Sequence, residues 1–182
     1  MHLKKREYRQ ALDAFTAVND YDGIGDTLFV LRQFDNAAEA FRHAGNPVKV
    51  TQALSQKQAL DPATGTIKKI GLDEALVYAN QEIAQGHFVW PLRLEVGKLY
   101  LEKGDDNAAL SELQAVAASG SSVQGEALLY VGKAYYKQGH YEAALETFQR
   151  VLTQFPGAKL AQDARQAINA VTTLQRLTTQ EH

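Results

Sequence analysis

Residues 128–156 read LLYVGKAYYKQGHYEAALETFQRVLTQFP, and residues 96–116 read VGKLYLEKGDDNAALSELQAV. When residues 96–116 are aligned with residues 131–151, an offset of 35 positions, ten of the 21 positions are identical. Self-similarity with a period in the thirties is typical of a repeat array, in which each unit stacks on its neighbour. This duplicated stretch therefore decides the fold class.

The later copy has the pattern of two helices joined by a tight turn. Residues 131–135 place apolar and small side chains three to four positions apart, on one face of a helix. Gly139 follows where that helix should end, since glycine accepts the left-handed backbone of a helix terminus. Pro156 should close the second helix, because proline cannot continue one. The stripe of that second helix is Tyr141, Ala144, Leu145, Phe148 and Val151.

These residues resemble the tetratricopeptide repeat (TPR), a helix-turn-helix unit of 34 residues. Its eight pattern positions correspond to Leu128, Val131, Gly132, Tyr135, Ala144, Phe148, Val151 and Pro156. The preceding copy offers Arg93, Val96, Gly97, Tyr100, Ala109, Leu113, Val116 and Ser121. That copy departs from the pattern at Arg93 and lacks the closing proline, which predicts a looser exit from its hairpin.

Weaker copies extend the pattern toward the N-terminus. The resemblance implies an all-α fold, a right-handed superhelix of antiparallel helical hairpins with about nine to ten helices, forming a single solenoid over residues 1–182. Asn46 and Pro47 should cap and start one helix, and Asp73 should cap a later one. The predicted divisions are an unpaired second helix at 5–18, a repeat at 20–45, an irregular repeat at 47–86 with an inserted loop at 61–71, repeats at 90–118 and 124–156, and a capping helix at 158–177.

Composition and motifs argue against most chemical functions. The net charge is −2, which disfavours nucleic-acid binding, and the absence of cysteine excludes disulfides and thiolate sites. No histidine pair has metal-ligand spacing, and no nucleophile motif or phosphate loop occurs. We therefore expect no enzyme activity, no cofactor, no metal and no membrane span. The compartment stays open between cytoplasm and bacterial periplasm, since a chain without cysteine fits either one; the chain as given starts with no signal-peptide pattern.

The family resemblance implies a concave groove lined by the first helix of each repeat, which holds a protein or peptide partner. The second repeat places Asp22, Asp26 and Phe29 at such positions, so the groove should change sign along its length. Lys98 and Lys133 occupy the same place in successive repeats and should present cations to an extended segment with acidic and apolar side chains. The predicted groove residues are Leu94, Lys98, Leu101, Leu129, Lys133 and Tyr136.

Two functions follow from these patterns. The first is a non-catalytic protein–protein interaction module or scaffold that binds a peptide or partner segment in the groove. The alternative is an assembly or regulatory segment of a larger protein that self-associates, as a homodimer, through the exposed face of the N-terminal helix at residues 5–18.

Overall fold

The computed structural model describes residues 2–62 and 64–180. Over these residues it contains ten helices and two short strands. The helices pack consecutively as antiparallel pairs, which confirms the predicted all-α solenoid of helical hairpins. The chain divides into two compact units, Met1–Glu95 and Val96–His182, with the boundary inside one helix.

The first unit contains five complete helices, a hairpin of strands and the start of a sixth helix. In chain order these are α1 (His2–Ala17), α2 (Tyr21–Val30), α3 (Phe34–His43), α4 (Pro47–Ser55), β1 (Gln58–Leu60), β2 (Ile67–Lys69), α5 (Leu72–Ala84) and the first part of α6 (Val89–Lys103). The second unit contains the rest of α6, then α7 (Asp106–Ala117), α8 (Gln124–Lys137), α9 (Tyr141–Gln154) and α10 (Ala158–Gln180).

The same close approach holds three of the hairpins together. A glycine in the first helix faces a large buried side chain 16 positions later in the second, and a Cβ atom on the glycine would lie within 2.3–2.6 Å of that side chain. Glycine therefore lets each ring or aliphatic group lie against helix backbone, at interior packing density. These glycine locks are Gly25 with Phe41, Gly97 with Leu113, and Gly132 with Phe148.

The helix ends follow the predicted capping chemistry. The Asn46 side chain accepts a hydrogen bond from the Lys49 backbone N–H at 3.2 Å, and Pro47 is the first residue of α4. An amide oxygen there satisfies one of the free N–H groups of the first turn. α8 ends two residues before Gly139, whose φ of 79° is left-handed. α9 ends at Gln154, two residues before Pro156. The predicted caps at these three points are confirmed.

The middle repeat differs from its prediction at two points. The expected inserted loop at 61–71 contains a strand, since Ile67–Lys69 form β2, which pairs antiparallel with β1 and places Leu60 opposite Ile67. The prediction of Asp73 as the cap of α5 is wrong, because the helix begins at Leu72 and Gly71 occupies the cap position. A buried glycine is needed there, since a Cβ atom on Gly71 would lie 1.7 Å from the Leu54 carbonyl oxygen.

Lys57 joins the middle repeat to α3 of the preceding repeat. Its Nζ lies 2.7 Å from Asp35 Oδ1 of α3 and 2.8 Å from Glu74 Oε2 of α5. These hydrogen bonds, with the charges of the same two carboxylates, outweigh partial burial and raise the pKa of Lys57 above its ordinary value of 10.5. A raised pKa in the folded state means that the pairs stabilise the fold fully below pH 10.5, and that their contribution is lost as the pH rises through the raised value.

None of the helices over the described residues is long and apolar enough to cross a membrane.

Candidate partner-binding site

One stripe of α8 lies at the edge of its buried face, beside α10, and forms the centre of the candidate site. Leu128, Val131 and Gly132 of this helix are buried, and Phe148 of α9 closes over Gly132. Side chains that are three, four or seven positions apart share the neighbouring face. That face carries Glu126, Leu129, Tyr130 and Lys133.

Two lysines meet at the ring of Tyr130. Lys133 Nζ lies 4.4 Å from the ring centroid, and Lys98 Nζ, which reaches across from α6, lies 5.0 Å from it. Both distances are within the range of a cation–π interaction. The structure thus brings together the two lysines that the sequence placed at equivalent repeat positions, and the aromatic ring of Tyr130 contacts both.

The two lysines differ in their surroundings. Lys98 Nζ lies 2.7 Å from Glu126 Oε1, and its side chain is only 20% exposed. Lys133 is exposed, and within the described part of the chain no carboxylate oxygen lies within ion-pair distance of it. The charge of Lys98 is therefore largely balanced inside the protein, whereas the charge of Lys133 is presented to solvent.

A cavity of about 300 Å³ adjoins the Tyr130 ring. Glu126, Leu129, Tyr130 and Lys133 form its α8 wall, and the first turns of α10 form the other. Two aliphatic side chains and charges of both signs therefore surround a space large enough for one or two side chains of a bound segment. The α10 wall consists of Lys159, Leu160 and Asp163.

The other predicted groove residues take different positions. Leu94 and Leu129 are each 2% exposed, so each offers a partner only a small contact area. Leu101 is half-buried, and its carbonyl oxygen accepts a hydrogen bond from Lys137 Nζ at 2.8 Å. Tyr136 is 38% exposed, and its ring lies 5.8 Å from that of Tyr141. The cavity at Tyr130 gathers only Leu129 and Lys133 of the six.

The corresponding positions of the second repeat carry an acidic pair. Lys49 Nζ lies 2.9 Å from Asp26 Oδ1 and 3.4 Å from Asp22 Oδ1. Partial burial lowers the pKa of Lys49, but the hydrogen bonds and charges of Asp26 and Asp22 more than offset this and leave the pKa raised. Phe29 packs edge-on against Phe34, with ring centroids 5.4 Å apart. One of the two negative charges is thus balanced by Lys49.

Several residues of the site were missed by the sequence prediction. Glu126 lies seven residues, or about two helical turns, before Lys133, so the 3.6-residue period alone could have placed it on the same face. Lys159, Leu160 and Asp163 had no such signal, because nothing in the repeat pattern states how the capping helix packs on α8.

Over residues 2–62 and 64–180, no three His, Asp or Glu side chains are grouped so that they could hold a metal ion. The chemistry that the site offers is recognition: two exposed cations, Lys133 and Lys159, an aromatic face and an aliphatic recess.

Comparison with known proteins agrees with this architecture. The sequence model of the tetratricopeptide repeat matches residues 126–158, which hold α9 and all but the first two residues of α8. No curated protein sequence matches the chain. Tetratricopeptide repeats are generally a protein-interaction fold without catalytic activity.

Three solved structures share the fold. TTC0263, a thermophilic TPR protein of Thermus thermophilus, is 21% identical with a TM-score of 0.66, over 88% of this chain and 87% of that chain. YrrB, described as a TPR protein with an unusual peptide-binding site, is 20% identical with a TM-score of 0.56, over 87% and 80%. The C-terminal part of a TPR repeat-containing protein from Cytophaga hutchinsonii is 14% identical with a TM-score of 0.58, over 94% and 77%.

At these identities the structural likeness shows the fold, and the sequence match shows the repeat itself. Residues 126–158 are a tetratricopeptide repeat, and the chain has the α-solenoid fold of the tetratricopeptide-repeat family.

Proposed function

We propose that the chain is a non-catalytic interaction module that binds an extended segment of a partner protein at the Tyr130 surface. The observation that supports this most directly is the exposed Lys133 ammonium over the Tyr130 ring, beside an aliphatic recess of about 300 Å³. A segment with an acidic side chain and a neighbouring apolar one matches that arrangement. YrrB, which has the same fold, is described as having a peptide-binding site.

In the proposed contact, Lys133 and the recess bind different side chains of the partner. The acidic side chain of the partner meets Lys133, whose charge is not balanced by the protein itself. The apolar side chain enters the recess over Leu129 and Leu160, where burial of aliphatic surface favours binding by about 25 cal/mol per Å². Lys98 holds Tyr130 and Glu126 in place and adds positive potential from behind the ring.

Charge reversal tests this site. The double variant Lys98→Glu with Lys133→Glu should weaken partner capture by at least about tenfold, because a cation at the centre of an interface becomes a repelling anion. A photo-crosslinking residue in place of the exposed Tyr136 would capture the partner from the native cell, and isothermal titration with the captured segment would measure affinity. Arg165→Glu reverses one charge at an exposed position of α10, half the charge change of the double variant, and is the control for a charge reversal outside the site.

Single variants separate the two lysines. Lys133→Gln should weaken binding more than Lys98→Gln, since Lys98 is already paired with Glu126. The proposed site would be wrong if the double variant and the Arg165→Glu control bound the same segment with equal affinity at unchanged thermal stability.

Self-association is a second candidate function, and one comparison favours it. The stripe of α1 repeats that of α9, yet Ala11 and Phe15 of α1 are only half-buried, whereas their counterparts Ala144 and Phe148 are at most 1% exposed. Val18 is 71% exposed, whereas Val151 is fully buried. A second copy of the chain would cover this surface.

Light scattering decides that question. We expect a dimer at high concentration for the wild-type chain and for Val77→Glu, which alters an exposed valine of α5, and a monomer for Val18→Glu. A wild-type chain that stays monomeric at the highest soluble concentration would rule out the homodimer.

A further inference from the structure

The β-hairpin of the middle repeat is exposed on both faces. All six residues of β1 and β2 are exposed, and among the described residues these two strands form a sheet of their own. Leu60 and Ile67 lie opposite each other on one face and are 65% and 69% exposed. Large aliphatic side chains at such exposure, grouped on one element, are typical of an interaction surface.

The hydrogen-bond pattern shows which backbone groups point outward. The Ile70 N–H donates to the Lys57 carbonyl oxygen at 3.0 Å, and the Asp61 N–H donates to the Thr66 carbonyl oxygen at 2.8 Å. Paired residues in an antiparallel ladder alternate between hydrogen-bonded and non-hydrogen-bonded pairs. The pairs Gln58–Lys69 and Leu60–Ile67 are therefore non-hydrogen-bonded, and their backbone N–H and C=O groups face away from the partner strand.

The two outer edges of the hairpin are not equivalent. β1 begins beside the turn between α2 and α3, where Gln58 Oε1 accepts a hydrogen bond from Arg32 Nη2 at 2.7 Å. β2 carries two adjacent exposed lysines, each of which also has a partner within the chain: Lys68 forms an ion pair with Asp61, and Lys69 has an interaction of its own. The β2 edge thus combines outward backbone groups, an exposed isoleucine and positive charge.

We propose that the β2 edge docks an extended acidic segment of a partner protein, which adds a third strand to the hairpin. Strand addition of this kind draws affinity from main-chain hydrogen bonds and specificity from alternate side chains. Side chains of a strand alternate between its two faces. Acidic side chains of the added strand therefore meet Lys68 on one face, and aliphatic side chains cover Ile67 and Leu60, beside Lys69, on the other. This surface is distinct from the Tyr130 site and does not depend on it.

Charge decides against a second copy of the chain as the added strand. β2 is only three residues long, and the antiparallel register that pairs all three residues of two β2 strands places Lys68 of one copy directly opposite Lys68 of the other. Like charges across a strand pair are destabilising, and lysine on an edge strand is a common protection against edge-to-edge association. An acidic strand experiences attraction at the same positions.

Two labelled peptides test the proposal by fluorescence anisotropy. The first is a short strand-forming peptide of alternating valine and glutamate, and the second has lysine in place of glutamate. The acidic peptide should bind the wild-type chain about tenfold more tightly than the basic one, from charge alone. Lys68→Gln with Lys69→Gln should remove that preference.

A proline at the edge tests the backbone component. Ile67→Pro removes an outward N–H and should weaken binding of the acidic peptide about tenfold, the effect of losing one buried backbone hydrogen bond. Ile67→Val keeps the N–H and should bind as the wild type does. Circular dichroism melts would verify that each variant is folded.

Three results would overturn the proposal. Ile67→Pro could bind as tightly as Ile67→Val, or both peptides could bind equally to the wild-type chain. Loss of acidic-peptide binding in the Lys98→Glu, Lys133→Glu variant would assign the peptide to the Tyr130 site instead. Unchanged binding in that variant, together with the loss in Ile67→Pro, would support the β2 edge.

Discussion

Replacing Phe148 with alanine should lower the free energy of unfolding by about 3–5 kcal/mol, the usual cost of removing a buried phenylalanine. The ring is 1% exposed and belongs to the core formed by α8, α9 and α10. Its partner across the hairpin is Gly132, which has no side chain that could move into the vacated space. Collapse of the cavity is therefore limited, and the cost should lie in the upper part of this range. Urea unfolding followed by circular dichroism measures it.

A second substitution, at Gly132, should change the free energy of unfolding in opposite directions in the presence and in the absence of the Phe148 ring. Gly132→Ala in the wild-type chain places a Cβ atom 2.4 Å from Phe148 Cε1, so it should destabilise. In the Phe148→Ala background the same methyl group enters the cavity and raises helix propensity, so it should stabilise. Leu177→Ala, at a side chain 56% exposed in α10, is the control and should change stability by less than about 0.5 kcal/mol. Additive effects of the two substitutions would contradict the glycine lock.

Replacing Gly71 with alanine should have a comparable effect for a different reason. The new Cβ atom would lie 1.7 Å from the Leu54 carbonyl oxygen and 2.9 Å from its carbonyl carbon. Both are backbone atoms, so no change of side-chain rotamer relieves the clash, and the end of α4 must move away from the start of α5. The cost should reach or exceed the about 1–3 kcal/mol of typical overpacking.

Gly157→Ala is the matched control for this substitution. Its Cβ atom would meet no atom within 4 Å, and its backbone is not left-handed. The substitution removes only the preference for glycine over alanine at the position before the first turn of α10, which should lower the free energy of unfolding by less than about 1 kcal/mol. Hydrogen exchange should show faster opening of α4 and α5 in Gly71→Ala. Equal stability of the two variants would mean that α4 and α5 do not approach each other this closely.

The contrast between these two sites explains how far the sequence could predict the fold. Small and large residues recur at fixed spacing in the repeats around residues 97 and 132, so the pattern reveals which residues approach one another. Gly71 belongs to no such recurrence, because its neighbour is a carbonyl oxygen, and any residue type at position 54 would supply one. β1 and β2 are three residues each, too short for an alternating pattern to separate them from a turn.

The candidate site was predictable to a similar degree. Equivalent repeat positions brought Lys98 and Lys133 to attention, and both lie within 5.0 Å of the Tyr130 ring centroid. Their unequal exposure follows from Glu126, whose pairing with Lys98 bridges α6 and α8 and depends on how the two helices pack. Their use in partner binding stays a prediction until the charge-reversal variants are measured.

The glycine locks have an evolutionary consequence. Each lock lies within one hairpin, with both members inside a span of 17 consecutive residues, so a gene duplication that copies a hairpin copies a complete core contact. Such a segment arrives able to fold against its neighbours without compensating changes elsewhere. The contact of Gly71 with Leu54 spans the inserted strands instead, and it ties this hairpin to its insertion. We expect lineages to gain or lose the hairpins with locks more readily than the one that contains β1 and β2.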